Sequence, residues 1–431
     1  MARQRPRRPL PPQARADYAL AVPVPPGTPA TPESGARVNQ VMDFLPPPLL
    51  DHHSRPVLHG ELGLGRFERL LADGTTGAAA GAGRGGSGGG AGWFDSAAGL
   101  AVLRWCPPLL GLDPHCAPAR YLARRRELGS YAARRMLLRG SGIAELLVDT
   151  TAAAAGEAAA VDGGEPVTVA ELAAALPGRA RELVPLDELA AQVGATSGSV
   201  PAQLRNLETA LETAARSAAG FVCDAAPLLW HPDATGPPDR AEVVRAASAA
   251  LAGRGGPATS ALAHHLLRGA LRTGRPVQLR CGDPAPLAGL LRTTAGEGTV
   301  VLVPDGDRRH LRTAAELAAR HSHVHTDAGT DPAVALAAAP FGRVLFSTRA
   351  ALLPELHVVR ARAFERGLRA LLGEWVADGA CTPGAARRIA ERVLGGNARE
   401  VYRRQPAGGA VTTTARHRHA VPGGERSAAD G

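Results

Sequence analysis

The sequence predicts an α/β fold built on a parallel sheet, and three observations predict it. Short β-branched or leucine-rich runs alternate with longer Ala/Leu/Arg stretches of helical spacing, the pattern of repeated βα units. Several helical stretches end at a glycine just before the next apolar run, a common way to stop a helix ahead of a strand. The 431 residues, 45% of them hydrophobic, can enclose one large core, and a single barrel with tails would use that length.

Residues 1–42 are rich in Pro and Arg with little apolar periodicity and are expected to be disordered. "LLDHHSRPVL" (49–58) then runs an apolar pair into an aspartate and two histidines, as a buried first strand does on reaching solvent. Residues 77–92, "GAAAGAGRGGSGGGAG", have too little side chain to pack and too much glycine for a helix. They are expected to form a surface loop whose removal changes stability little. Helical spacing returns over 119–139, ahead of the strand "IAELLVDT". Helices over 204–219, 241–252 and 259–273 flank the short run "GFVCD". "PVQLRC", "GTVVLVPD", "SHVHTDAG" and "GRVLFSTR" follow as strands, and a helix over 355–378 closes the series. The tail 406–431 is Gly, Thr, Arg and Ala and is expected to be disordered, which leaves 43–405 as one folded unit.

Composition excludes several function classes. No run of eighteen apolar residues occurs, and the charged start has no apolar segment of signal-peptide length after it, so a cytoplasmic protein with no membrane partner is expected. The five cysteines are scattered and never spaced as CxxC, which argues against a disulfide framework or a structural zinc site. The net charge of +9 raises the question of nucleic acid, but the chain has no lysine, its arginines are spread out, and aromatic residues are only 3%. Specific nucleic-acid binding is not expected, because diffuse charge lacks a reading element.

Beyond these patterns, the stretches "LLDHHSRPVLHGEL", "FDSAAGLAVLRWCPPLLGLDPH", "YLARRRELG", "LLVDT", "AAGFVCD", "PVQLR", "RVLFSTRAALLPELH" and "GGNAREVYR" carry a family resemblance over about residues 47–404. The chain resembles the metal-dependent amidohydrolase superfamily, in the branch that also occurs fused to glutamine-synthetase-like domains. The resemblance implies a distorted (β/α)8 barrel with a divalent metal, zinc in the family, in its mouth. It implies ligands in the form of His-x-His from the first strand, a lysine or other bridging residue from the fourth, a histidine each from the fifth and sixth, and an aspartate from the eighth that also serves as general base. Matched position by position, His53 keeps the first histidine, while the others fall on Arg55, Val222, Arg280, Pro304 and Arg349. All six are expected to face the C-terminal mouth of the barrel.

One histidine does not make a metal site, and three guanidinium groups that cannot deprotonate would repel a cation. An arginine at 349 cannot accept the proton of a metal-bound water. The expected protein is therefore a catalytically inactive relative, holding no cofactor, with a binding or scaffolding role. Two other readings remain open. One is a hydrolase of C–N bonds with a rebuilt site drawn from His53, Asp305, Asp307, His310 or Asp327. The other is a sensor or partner subunit that binds an anionic small molecule through Arg55, Arg280 and Arg349, with Asp51, Asp224 and Asp305 as internal counter-charges, beside a glutamine-synthetase-like enzyme. "PDGD" after the sixth strand also reads as plain turn chemistry. His321, His323 and His325 alternate as strand residues would, a weak metal signal. Cys223 and Cys281 read as buried thiols rather than nucleophiles.

Overall fold

The computed structural model describes residues 48–76, 92–151, 165–230 and 236–403. The two tails and all but the last residue of the 77–92 loop lie outside the described residues. Eight strands follow the chain in order: β1 Leu49–Ser54, β2 Ile143–Asp149, β3 Arg179–Pro185, β4 Gly220–Asp224, β5 Val277–Cys281, β6 Val300–Pro304, β7 Val324–Asp327 and β8 Val344–Leu345. Each pairs in parallel with the next. The ring is drawn together where the residues after β8 meet β1, through His52 N to Phe346 O (3.2 Å), Arg349 N to His53 O (3.1 Å) and Arg55 N to Ala350 O (2.8 Å). The chain is thus a (β/α)8 barrel, with helices between the strands.

The helices expected from periodicity form with small shifts, as Val200–Ser217, Arg240–Leu251, Ser260–Arg272 and Pro354–Ala377. The stretch 119–139 is two helices, Pro118–Leu128 and Ser130–Gly140, because Gly129 turns the chain at φ +78°. β3 has no apolar run to announce it. Its sequence RARELVP starts exposed and buries only its later residues.

Strand alternation divides the core into two shells. Leu50, Leu147, Leu183, Val222, Val301, Val303 and Leu345 fill the lumen, where they meet Tyr402 and Ala398 from the end of the chain. Leu49, Phe221, Cys223, Leu279, Val300, Leu302 and Val324 face outward under the helices. A third cluster, including Phe67, Phe94, Tyr121 and Leu356, forms from the long β1–β2 connection packed on the start of helix Pro354–Ala377. Two of the most distinctive sequence stretches meet there. Glu355 of "LPELH", fully buried, accepts from Tyr121 Oη at 2.7 Å and pairs with Arg125 Nε at 3.2 Å, both from "YLARRREL". Their chemistry is structural: a buried carboxylate is kept by a phenol and a guanidinium.

Candidate functional site

The mouth is built at the C-terminal strand ends, and β1 sets it up. A register shift between Asp51 and Ser54 bulges this strand, so that consecutive residues His52 and His53 both reach one partner on β5. That partner is Gln278. Its Oε1 lies 2.7 Å from His53 Nδ1, while its Nε2 donates to His52 O and to Tyr402 Oη, each at 2.7 Å. The amide oxygen can only accept, so His53 carries its proton on Nδ1. Burial first, then nearby His52, Arg349 and Arg55, lower the His53 pKa to about 4 against the opposing pull of Asp149.

Arg280 spans the mouth from β5 to the ends of β2 and β4. Its Nη1 contacts Asp149 Oδ2 at 2.5 Å and Thr151 Oγ1 at 2.8 Å, and its Nε donates to Asp224 Oδ1 at 2.9 Å. Asp149 has no solvent exposure. Burial alone would raise its pKa, but His53, Arg280 and the Thr151 hydrogen bonds overcome that and hold it below the ordinary carboxylate range. Arg349 repeats the arrangement across β8 and β7: its Nε lies 2.5 Å from Oδ2 of the buried Asp327. Asp327 also accepts from Ser347 Oγ and Gly329 N, and its carboxyl is held well below the usual range despite burial.

Arg349 enters the mouth on a strained turn, at φ +49°. The turn is held from below. Asp51 accepts from Thr348 N (3.0 Å) and from the Thr348 hydroxyl, while Arg360 donates to the carbonyls of Thr348 (3.2 Å), Arg349 (2.6 Å) and Gly74 (2.5 Å). Burial lowers the Arg360 pKa only to about 10, so it stays charged.

His53 and Arg280 thus stand at the C-terminal ends of β1 and β5, with Arg55 and Arg349 just beyond β1 and β8. Two expected positions need correction. Pro304 does not face the mouth's interior: in β6 the inward residues are Val301 and Val303, and alternation turns Pro304 outward. Val222 faces the lumen but lies in its apolar layer, at 0% exposure, rather than in the mouth. Asp224 does answer Arg280 as expected, but Asp51 serves the turn and Asp305 pairs instead with His310, at 2.7 Å. Asp307 caps helix Arg308–Arg320, so the candidate replacement ligands do not converge. His321 and His323 stand at the opposite end of the barrel, before β7, with rings 6.1 Å apart; His325 is half-buried, its pKa lowered to about 3, chiefly by desolvation. Cys223 and Cys281 are pushed up, Cys281 to about 12, first by burial, and neither has thiolate character. Asp149, Gln278 and Arg360 were not singled out in the sequence.

A divalent ion does not fit these residues. His53 offers one imidazole whose Nδ1 is engaged by Gln278, and the carboxylates nearest it are already neutralised by guanidinium groups. Among the described residues, no group of three or more His, Cys, Asp or Glu could hold a metal ion.

Buried histidines give the protein a definite acid sensitivity. The pKa values of His53 (about 4), His325 (about 3) and His357 (about 4) are lowered first by burial. The unfolded chain, with histidines near 6.5, binds protons that the folded chain does not, so stability falls as the pH drops from about 6.5 towards 4. Asp51, raised to about 7 by burial, works the other way over the same range and offsets part of the loss. Urea midpoints at pH 7 and pH 5 should differ clearly, with the lower one in acid; equal midpoints would mean that these imidazoles are hydrated.

No protein-family model matches the chain, and no curated protein is significantly similar to it in sequence. Solved structures are similar in fold. A Lactobacillus casei protein assigned as a metal-dependent hydrolase superposes with a TM-score of 0.64 at 17% identity, over 82% of this chain and 95% of that one. A uronate isomerase from Bacillus halodurans gives 0.57 at 12% identity, covering 87% and 97% of the two chains. Glucuronate isomerase from Caulobacter crescentus gives 0.59 at 11% identity, covering 88% and 96%. The chain thus shares the barrel fold of these proteins, the fold implied by its sequence resemblance.

Proposed function

We propose that this barrel does not work as a metal-dependent hydrolase and that its mouth binds a small carboxylate or phosphate. The observation that carries the reading is the pair of buried ion pairs, Arg280–Asp149 and Arg349–Asp327, at the C-terminal end of the barrel, where the resemblance would put a metal. Each guanidinium spends only part of its five donors on its carboxylate. Arg349 Nη2 is buried without a hydrogen-bond partner among the described residues. Arg280 and Arg349 keep 15% and 20% of their side chains exposed, so both present an edge to an incoming anion. Arg55 adds a third positive group beside His53. The structural neighbours that act on uronates make a sugar carboxylate a sensible probe.

Titration calorimetry of the full chain with phosphate, citrate and D-glucuronate at low salt tests this, beside elemental analysis of protein purified without chelator. Saturable binding of at least one of these anions is expected, weakened about ten-fold by Arg55→Met, the usual worth of a charge-assisted hydrogen bond. Zinc in stoichiometric amount, or no response beyond that to sodium chloride of equal ionic strength, would overturn the reading.

A further inference from the structure

The opposite, N-terminal face of the barrel carries a cleft of about 530 Å3 lined by Arg179, Arg181, Arg216, Arg275, Arg399 and Arg403. These six come from separate parts of the chain: the start of β3, the last turn of helix Val200–Ser217, the loop before β5, and helix Asn397–Val401 with the residues after it. Only the closed barrel brings them together. Glu145, 6% exposed, answers two of them, at 2.9 Å from Arg179 Nη2 and 2.8 Å from Arg181 Nη2.

A purely structural role explains part of the cluster. Arg181 donates to Tyr402 O at 3.3 Å, Arg275 Nε to Ala215 O at 2.8 Å, and Arg399 to Pro48 O. These bonds join chain ends and a helix terminus to the barrel floor. They do not neutralise the arginines, because a carbonyl carries no net charge, and each guanidinium keeps further donors. Their effect is to hold several cationic heads in fixed positions around one concavity. Like charges held together oppose folding unless an anion offsets them, and donors already fixed lose little freedom on binding one.

The occupant can be narrowed by charge and shape. The chain's own tails are poor candidates: residues 1–47 have six arginines against three acidic residues, and residues 404–431 have four against two. The cleft has the volume of a small-molecule site rather than a groove for a duplex. Its lining includes one aromatic residue, Tyr402, which is buried and so gives bases no surface on which to stack. Several guanidinium groups around a small concavity suit closely spaced phosphates, which each can grip with two parallel hydrogen bonds. We infer that this cleft binds a small polyphosphorylated anion through its phosphate chain, at a site separate from the mouth.

The test is calorimetry of the full chain with inorganic tripolyphosphate, then with ATP, at low and moderate salt. A saturable site beyond any in the mouth is expected, weakened about ten-fold by Arg179→Gln, whose side chain is 64% exposed and whose loss leaves Glu145 paired with Arg181. Arg312→Gln, on helix Arg308–Arg320 and outside the cleft, should leave the affinity of this site unchanged, as should Arg55→Met in the mouth. Equal affinities for tripolyphosphate and ATP would support recognition of the phosphate chain alone; tighter ATP binding would support a nucleotide in the same cleft. Equal losses in Arg179→Gln and Arg312→Gln would overturn the proposal in favour of diffuse charge. So would displacement by single-stranded DNA that is equally sensitive to both changes, or no saturable binding at low salt. Sensitivity to Arg55→Met instead would place the anion in the mouth and leave the cleft with its structural role alone.

Discussion

Arg349→Met is expected to destabilise the protein by about 3–5 kcal/mol near neutral pH, the usual loss when one partner of a buried ion pair is removed. The reason is Asp327. It has no exposure, and without Arg349 its carboxylate keeps only Ser347, Gly329 and a distant His52 Nε2 at 3.6 Å. In the unmodified protein the Asp327 pKa is depressed, so its stabilising contribution is present above the unfolded carboxylate value near 4 and is lost as the pH falls through the folded value. In the variant that depression largely disappears and the carboxyl can accept a proton, so the deficit relative to the unmodified protein should shrink as the pH is lowered. The second change Asp327→Asn should recover much of the loss, since an amide needs no counter-charge. Urea denaturation of the three proteins across pH 4–8 measures all of this. A deficit under 1 kcal/mol, or one that grows in acid, would show that water reaches Asp327 and that the pair is a surface contact.

Gln278→Leu is expected to cost about 3–4 kcal/mol, because it removes the nearest side-chain partner of three buried groups at once: His53 Nδ1, the His52 carbonyl and the Tyr402 hydroxyl. Leucine fills similar space, so the loss is of hydrogen bonds rather than of packing. Gln278→Glu separates this role from local electrostatics. It keeps an acceptor for His53 Nδ1 and adds a negative charge, which should raise the His53 pKa from its value of about 4. Titration of the His53 ring by NMR reads that shift directly. An unchanged His53 pKa in the Glu variant would mean that residue 278 and the ring are not in contact, and the described lumen would be wrong at its centre.

These two sites show why the mouth was only partly legible. His53, Arg55, Arg280 and Arg349 could be placed because each follows an apolar run, and the end of such a run is where a barrel strand opens. Gln278 could have been found by the same rule, since it stands two residues before Arg280 on the same face of β5. Pro304 was misplaced by one residue, and in a strand one residue is the whole difference between inside and outside. β3 was missed because its burial comes from neighbouring strands rather than from a hydrophobic run of its own.

By itself the sequence determined most of the order of elements, the parallel βα pattern and which residues stand at several strand ends, since these depend on local runs of side chains and on residue identity. Only the tertiary structure decided what the arginines do. Arg280 finds Asp149 at a separation of 131 residues, and the six arginines of the floor come from positions 179 to 403. Such meetings depend on strand register and ring closure, and the strength of each pair depends on how far the barrel has removed it from water.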